Sequence, residues 1–262
     1  RRYILALPVA KTMKALKFLP EISDTERVAI EAGNVWVDAE LFSGRPNLKR
    51  CLNEPYPTLT KEEQAFIDGP VEELCKMTSD YEINQKRDLP KKVWTALKKG
   101  IFFGVIIPKK YGGLGFSANA HSAIVAKLSS RSSTLGITTM VPNSLGPAEL
   151  LIHYGTKEQK DYYLPRLADG REIPCFGLTE PGAGSDAGAI KSHGEVFKDK
   201  DGKLYIKLNW NKRWITLSAI STLIGLAFVL RDPDNLLKKG KEPGITCAMI
   251  PAKTKGVVLG RR

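Results

Sequence analysis

Between Ile173 and Ile190 the chain reads IPCFGLTEPGAGSDAGAI, and these residue types could build a ligand loop. An apolar run halts at Pro181, which cannot donate to a β-ladder, and opens into Gly182, Ala183 and Gly184, followed by Ser185 and Asp186. Glycines permit positive φ and let a ligand approach the backbone closely. Thr179, Ser185 and Asp186 add two hydroxyls and a carboxylate. Such a loop suits a polar, anionic or heteroaromatic ligand. A plain turn is the competing reading, because Gly and Pro punctuate loops generally. The GK[ST] ending of a phosphate loop is absent, and no βαβ pattern supports a dinucleotide fingerprint.

A second stretch, Lys212-Arg213-Trp214-Ile215-Thr216, follows about thirty residues later, and Pro108-Lys109-Lys110-Tyr111-Gly112-Gly113-Leu114-Gly115 precedes both. Phe176 to Asp186 resembles the flavin-binding signature of the acyl-CoA dehydrogenases. The second stretch resembles that family's K-x-W-I-T strand, and the third its P-x-x-Y-G-G-x-G loop. Tyr154-Gly155-Thr156 with Leu164-Pro165 also looks like the family. The likeness runs over roughly residues 60 to 262. The region before it, and Pro142-Asn143-Ser144-Leu145-Gly146-Pro147, most resemble the larger membrane-associated bacterial fatty-acyl-CoA dehydrogenases.

The resemblance implies an FAD-dependent oxidoreductase that introduces a trans α,β double bond into fatty acyl-CoA thioesters, the first step of β-oxidation. It implies that Phe176, Leu178 and Thr179 line the flavin, that Gly184 and Ser185 lie beside it, and that Ser185 also faces the acyl-CoA. Trp214 would back the isoalloxazine ring, and the Thr216 hydroxyl would sit near N5. Taken singly, Trp214 reads as a strand core residue, Thr216 as a strand former and Ser185 as a turn former. Implied partners are fatty acyl-CoA, an electron-transfer flavoprotein or similar acceptor, and further copies of the chain. Leu217-Ser218-Ala219 departs from the family's polar Asn/Gly turn. The family's catalytic glutamate belongs to a C-terminal helical domain outside this sequence, so no catalytic base is expected here; Glu180 is not that base, and Glu172 has no motif support. Two other readings stay open: a flavin oxidase relative, and a non-catalytic basic module for anionic membrane or CoA-like ligands.

The 262 residues carry a net charge of +12, which favours anionic partners. The basic residues are scattered without a nucleic-acid-binding motif, so acidic lipid or CoA is expected and nucleic acid is not. Cys51, Cys75, Cys175 and Cys247 are widely spaced and read as reduced core residues; with only His121, His153 and His193, a metal site is not expected. No stretch is long enough to span a bilayer, and no signal peptide is evident. The expected location is the cytoplasmic face of the bacterial inner membrane or the cytoplasm. The Arg1-Arg2 start and the Gly260-Arg261-Arg262 end read as those of an N-terminal fragment.

Those residues need elements to hold them. Lys11 to Lys17 alternates basic and apolar residues, suiting an acidic membrane surface or a surface segment packed on the body. Ser23-Asp24-Thr25-Glu26 spells a capping box, predicting a helix over 24–42 with Ala29, Ala32, Val35 and Trp36 on one face. Thr60 and Thr156 open two more capping boxes, and Pro70 bends or divides the first of those helices. Helices are predicted after Pro90, over 117–130 and over 142–154. From Glu172 the pattern changes to strand-like runs at 173–179, 203–208, 213–218, 221–230 and 245–250, with a hairpin turn at 199–202. The fold class is α+β: an N-terminal extension (1–58), an all-α helical domain (59–171) and a small, mostly antiparallel β domain (172–262).

Overall fold

The computed structural model describes residues 5–16, 18, 40–41, 44–144 and 146–260. They divide into two compact units, Arg1–Tyr56 and Pro57–Arg262. In the first, α1 (Leu7–Ala15) buries none of its residues. Leu5, Val9, Met13 and Leu16, spaced to share a helical stripe, are all exposed. The helix expected over 24–42 lies outside the described residues except for Glu40 and Leu41. Asn47 caps α2 (Leu48–Leu52) by accepting from the Arg50 N–H, while Glu40 accepts from the Asn47 N–H at 2.9 Å and pairs with Arg50 at 3.0 Å.

The second unit begins at α3 (Lys61–Phe66), where Thr60 and Glu63 form the capping box that their spelling predicts. Pro70 then widens one turn into a π-helix, Ile67–Val71, before α4 (Glu72–Met77). A proline disturbs the regular ladder, and the Ile67 carbonyl in this turn accepts from Lys127 Nζ at 2.9 Å. Next come α5 (Asp80–Lys86), a short helix the apolar pattern did not announce, and α6 (Lys91–Lys99). The glycine loop after Ile107 is set by close approach: a Cβ on Gly113 would lie 2.1 Å from the Ile107 carbonyl oxygen. Beyond it run α7 (Ala118–Arg131), α8 (Ser133–Ser144), α9 (Pro147–Tyr154) and α10 (Lys157–Ala168), the last opened by the Thr156 capping box.

One expected element is corrected here. Residues 142–154 are not a single helix: Pro142 lies in the last turn of α8, and α9 starts afresh at Pro147. Proline is well suited to a first helical position, where its missing N–H is not needed. Gly146 sits at the break, where a Cβ would approach the Pro142 carbonyl oxygen to 2.8 Å.

Phe102, Phe103, Val93, Leu97, Ile124, Leu128 and Leu135 form the helical core. Buried Asn143 stitches it: Nδ2 donates to the Phe102 and Thr139 carbonyls at 2.7 and 2.8 Å, and Oδ1 accepts from the Ile106 N–H. Glu63, 4% exposed, does similar work between helices. One carboxylate oxygen accepts from the Thr60 N–H and the other from the Ser117 N–H, both at 2.8 Å. A single side chain thus serves the N-termini of α3 and α7.

The β region is one mixed sheet of β1 (Pro174–Gly177), β2 (His193–Lys198), β3 (Leu204–Asn209), β4 (Leu223–Arg231) and β5 (Gly244–Pro251). β4, almost wholly buried, pairs with β1 and β2 in parallel and with β5 antiparallel; β3 hangs antiparallel on β2. The antiparallel ladders are the long ones, so most rungs are of that kind. Two strand readings need correction. Residues 193–198 supply the first strand of the hairpin, a segment absent from the expected runs. Residues 213–218 form no strand: Trp214 and Leu217 take left-handed φ of 62° and 64°, which a ladder does not accommodate. Of the cysteines, Cys175 is buried as expected, whereas Cys247 is exposed and Cys51 and Cys75 are intermediate.

Glu63 yields a test. Hydrogen bonds from the Thr60 and Ser117 backbones, and then from the Ser117 hydroxyl, outweigh burial and hold its pKa at about 2 rather than 4.5. Its stabilisation is therefore full above about pH 4.5 and lost as pH falls toward 2. Glu63→Ala should destabilise the second unit by about 3–6 kcal/mol, the sum of two charge-assisted hydrogen bonds. Urea unfolding should also show a flatter acid limb than the parent between pH 4.5 and 2.

Candidate functional site

The two motif loops leave the sheet from strands that are not neighbours. One follows β1 (178–190) and the other follows β3 (210–217), with β4 and β2 between those strands. A buried ion pair brings them together. Lys212 Nζ donates to Glu180 Oε1 at 2.7 Å and to the Leu178 carbonyl at 2.9 Å, with the two side chains only 4% and 6% exposed. The Arg213 N–H adds a bond to the Thr179 carbonyl at 3.0 Å. Glu180 also accepts the Ser192 N–H at 3.0 Å on Oε1 and the Lys191 N–H at 2.7 Å on Oε2. Burial alone would raise its pKa; the Lys212 ammonium, followed by the Ser192 and Lys191 donors, reverses this and holds it at about 2. Glu180 is a fixed anion, unsuited to taking a proton near neutral pH. The sequence signal for this role was present in the Glu180 and Lys212 letters of the two motifs, but their pairing was not legible.

With both loops in place, a cavity of about 970 Å³ opens against one face of the sheet. Gly177 and Cys175 of β1 line it with Trp210, Lys212, Trp214 and Thr216. Trp214 is 77% exposed, the Arg213 guanidinium lying 4.5 Å from its ring centre. A large aromatic side chain held at positive φ with its ring in solvent is strained and unpacked, a pattern that clusters at functional sites. Cys175 offers no nucleophile here: burial pushes its thiol pKa up, and Sγ lies 3.4 Å from the Ser221 hydroxyl.

The other expected residues sit elsewhere on the β1 loop. Phe176 and Leu178 pack on the opposite face with Ala183, Ile190, Ala227 and Val229. Phe176 lines a second cavity of about 680 Å³ beside Leu151, Tyr163 and Met249. Thr179 is half-buried, and Gly184 and Ser185 are exposed. Neither Gly182 nor Gly184 uses the left-handed region that glycine was expected to supply, and a Cβ on either would meet open space. The N–H groups of Gly182, Gly184 and Ser185 have no hydrogen-bond partner among the described residues. A side-chain-free backbone with unspent donors is what an anionic or polar ligand needs for close approach. The exposed Trp214 ring and the large cavity suit a flat heteroaromatic ligand, and the unspent donors on the other loop suit anionic oxygens, although Gly182, Gly184 and Ser185 do not line that cavity.

The ion pair can be tested. Lys212→Met leaves a buried carboxylate uncompensated and should cost about 3–5 kcal/mol in chemical unfolding. Because the Glu180 pKa is depressed, its contribution is complete above about pH 4.5 and falls away toward pH 2. Glu180→Gln should remove that part of the acid dependence, and an unaltered acid limb would count against the pairing.

Comparison with known proteins agrees with this geometry. Residues 60–171 match the acyl-CoA dehydrogenase N-terminal domain and residues 175–262 the acyl-CoA dehydrogenase middle domain. The chain is 34% identical over 211 residues to a 3-(aryl)acrylate reductase of Clostridium sporogenes, covering 80% of this chain and 51% of that protein. It is 33% identical over 174 residues to the human mitochondrial very long-chain specific acyl-CoA dehydrogenase, covering 64% of this chain and 26% of the relative. Among solved structures, an acyl-CoA dehydrogenase from Geobacillus kaustophilus superposes with a TM-score of 0.61 at 28% identity, over 76% of this chain and 50% of that one. The chain thus spans about half the length of these relatives or less. With both domain types matched in order, and with the helical layer and the sheet both present, the chain belongs to the acyl-CoA dehydrogenase family.

Proposed function

We propose that the protein bearing this chain is an FAD-dependent oxidoreductase that introduces a trans α,β double bond into fatty acyl-CoA thioesters. The observation that carries the reading is the pair of loops joined by Lys212 and Glu180: one places Trp214 and Thr216 at the large cavity, and the other carries the unspent backbone N–H groups of Gly182, Gly184 and Ser185. In this reading the N–H groups of Gly184 and Ser185 hold anionic oxygens of the cofactor, and Trp214 supplies an aromatic face for its ring. Thr216 and Thr179 supply hydroxyls to its polar edge, while Phe176 and Leu178 support the strand beneath. Ser185 serves the acyl-CoA as well. The FAD that these residues would hold would supply the acceptor for the β-carbon hydride. The proton on the α-carbon requires a base, and we assign that base to no residue of this chain. Glu180 is committed to Lys212, and Glu172 is held by the Thr222 hydroxyl.

The likeness to the very long-chain enzyme supports a fatty acyl substrate. Similarity at 26% identity and TM-score 0.64 to a structure described as an electron transferring flavoprotein of Acidaminococcus fermentans supports a flavoprotein acceptor as partner. The same family includes a protein named a 3-(aryl)acrylate reductase, which favours reduction of an unsaturated acid as the second reading. We keep 1–58, 59–171 and 172–262 as the working division into extension, helical and β domains, and a homo-oligomer as the working assembly. The proposed location is the cytoplasmic face of a bacterial inner membrane or the cytoplasm. No described helix is long and apolar enough to cross a membrane. Surface binding is supported by α1, whose exposed apolar stripe is joined by Lys11 and Lys14.

Two experiments test these readings. A visible spectrum of the full-length protein should show flavin bands that bleach on anaerobic addition of a long-chain acyl-CoA. Trp214→Ala should lower flavin retention roughly tenfold, the scale of one lost aromatic stacking contact. Absence of flavin after reconstitution sinks the main reading, and bleaching by a reductant but not by acyl-CoA turns it toward the reductase. For α1, co-sedimentation with vesicles containing acidic phospholipid should fall as salt rises. Lys11→Ala with Lys14→Ala should weaken it by about thirtyfold, at roughly 1 kcal/mol per lysine. Equal binding to neutral vesicles would remove the electrostatic argument.

A further inference from the structure

Arg213 stands between the ion pair that anchors its loop and the exposed ring of Trp214. Its N–H is bound to the Thr179 carbonyl at 3.0 Å, and the preceding Lys212 is locked to Glu180, so its backbone is held from both sides. Its guanidinium lies 4.5 Å from the Trp214 ring centre and, among the described residues, enters no ion pair and donates no hydrogen bond. The Trp214 ring in turn belongs to no aromatic pair or core cluster of the described residues, and at 77% exposure the rest of its surface is open. A second pair of this kind, Arg166 over Tyr162 at 3.8 Å, differs on this point, because Arg166 Nη1 is spent on the Tyr162 carbonyl. The charge of Arg213 is also uncompensated at the large cavity. Arg213 and Trp214 both line that cavity, no acidic residue lines it, and the other cation in its lining, Lys212, is neutralised by Glu180.

We propose that Arg213 is the positioning residue for Trp214 and the charge that biases the cavity toward the reduced form of its ring ligand, an inference that rests on the flavin reading above. A guanidinium is planar and weakly hydrated, so it stacks on one indole face and restrains the ring without covering the other. The free face is then ready for a ring before the ligand arrives, which lowers the ordering cost of binding. The positive charge acts separately. A flavin ring that has gained two electrons and one proton carries one more negative charge than its oxidised form, and a nearby unpaired cation favours that form. Arg213 therefore acts on affinity through Trp214 and on redox poise through its own charge.

The two roles separate in Arg213→Lys, which keeps the charge and loses the planar stack. Fluorine NMR of the full-length protein, labelled with 5-fluorotryptophan and stripped of cofactor, should show a Trp214 resonance identified by its loss in Trp214→Phe. Arg213→Leu and Arg213→Lys should both move that resonance and leave in place that of Trp94, which packs on the helical core. Each should weaken FAD binding about twofold to fivefold, the scale of one exposed cation–π contact. At a fixed potential set by redox dyes, Arg213→Leu should shift the bound flavin roughly tenfold toward its oxidised form, the scale of one partly screened charge. Arg213→Lys should stay near the parent in that measurement. A Trp214 resonance unmoved by either variant, or equal redox shifts in the two variants, would overturn the proposal. A parent protein that takes up no FAD would overturn the flavin reading and the redox bias with it, whereas bound FAD whose redox equilibrium ignores Arg213→Leu would overturn only the role given to Arg213.

Discussion

The β region depends on one buried ion pair. Lys212 and Glu180 lie in loops that leave β3 and β1, and in the sheet two other strands separate those elements. A buried pair seldom adds much net stability, because desolvation offsets the Coulombic gain. Here the pair acts chiefly in positioning. The donors that meet Glu180 come from two other segments, the Lys212 side chain and the consecutive backbone N–H groups of Lys191 and Ser192. Lys212 spends a second proton on the Leu178 carbonyl. Three chain segments are thereby fixed around one carboxylate.

That fixation explains why the adjacent backbone can remain unspent. The loop from Gly182 to Ser185 is held at its base by the Glu180 contacts and by the two-way bonding of Glu180 with Ala183, so its tip need not satisfy itself. Its free N–H groups face solvent at no folding penalty, available to a ligand. The same anchoring lets Trp214 be held at positive φ with its ring exposed, while neighbouring Ile215 and Leu217 pack toward the β core. The strain in one loop is borne by the burial of its flanking residues and by the lysine at its start.

The helical layer supplies rigidity by a comparable device. Glu63 joins two helix starts through one carboxylate, and Asn143 joins α8 to the apolar piece that follows α6. Near the junction with the sheet, the Ile173 N–H donates to the Thr222 hydroxyl and the Thr222 N–H returns to the Ile173 carbonyl. Each of these side chains stands at a boundary between elements, where backbone groups would otherwise lack partners. At such places a short polar side chain contributes more than another methyl group would.

The sequence by itself determined whatever depends on near neighbours. The capping boxes at Thr60 and Thr156 need only three residues, the proline-widened turn needs Pro70 alone, and the buried run of β4 is apolar enough to read directly. The glycine-rich loop was legible as a loop, since Pro181 and its glycines mark one. The tertiary structure decided what rests on contacts across the chain. Helix α8 and strand β2 were missed because their mixed composition has no clear period. Residues 213–218 read as a strand because their residue types favour one, yet the bond from Arg213 to Thr179 and the anchoring of Lys212 turn them into a loop. The role of Glu180 arises the same way, from groups far apart in sequence meeting where water is excluded.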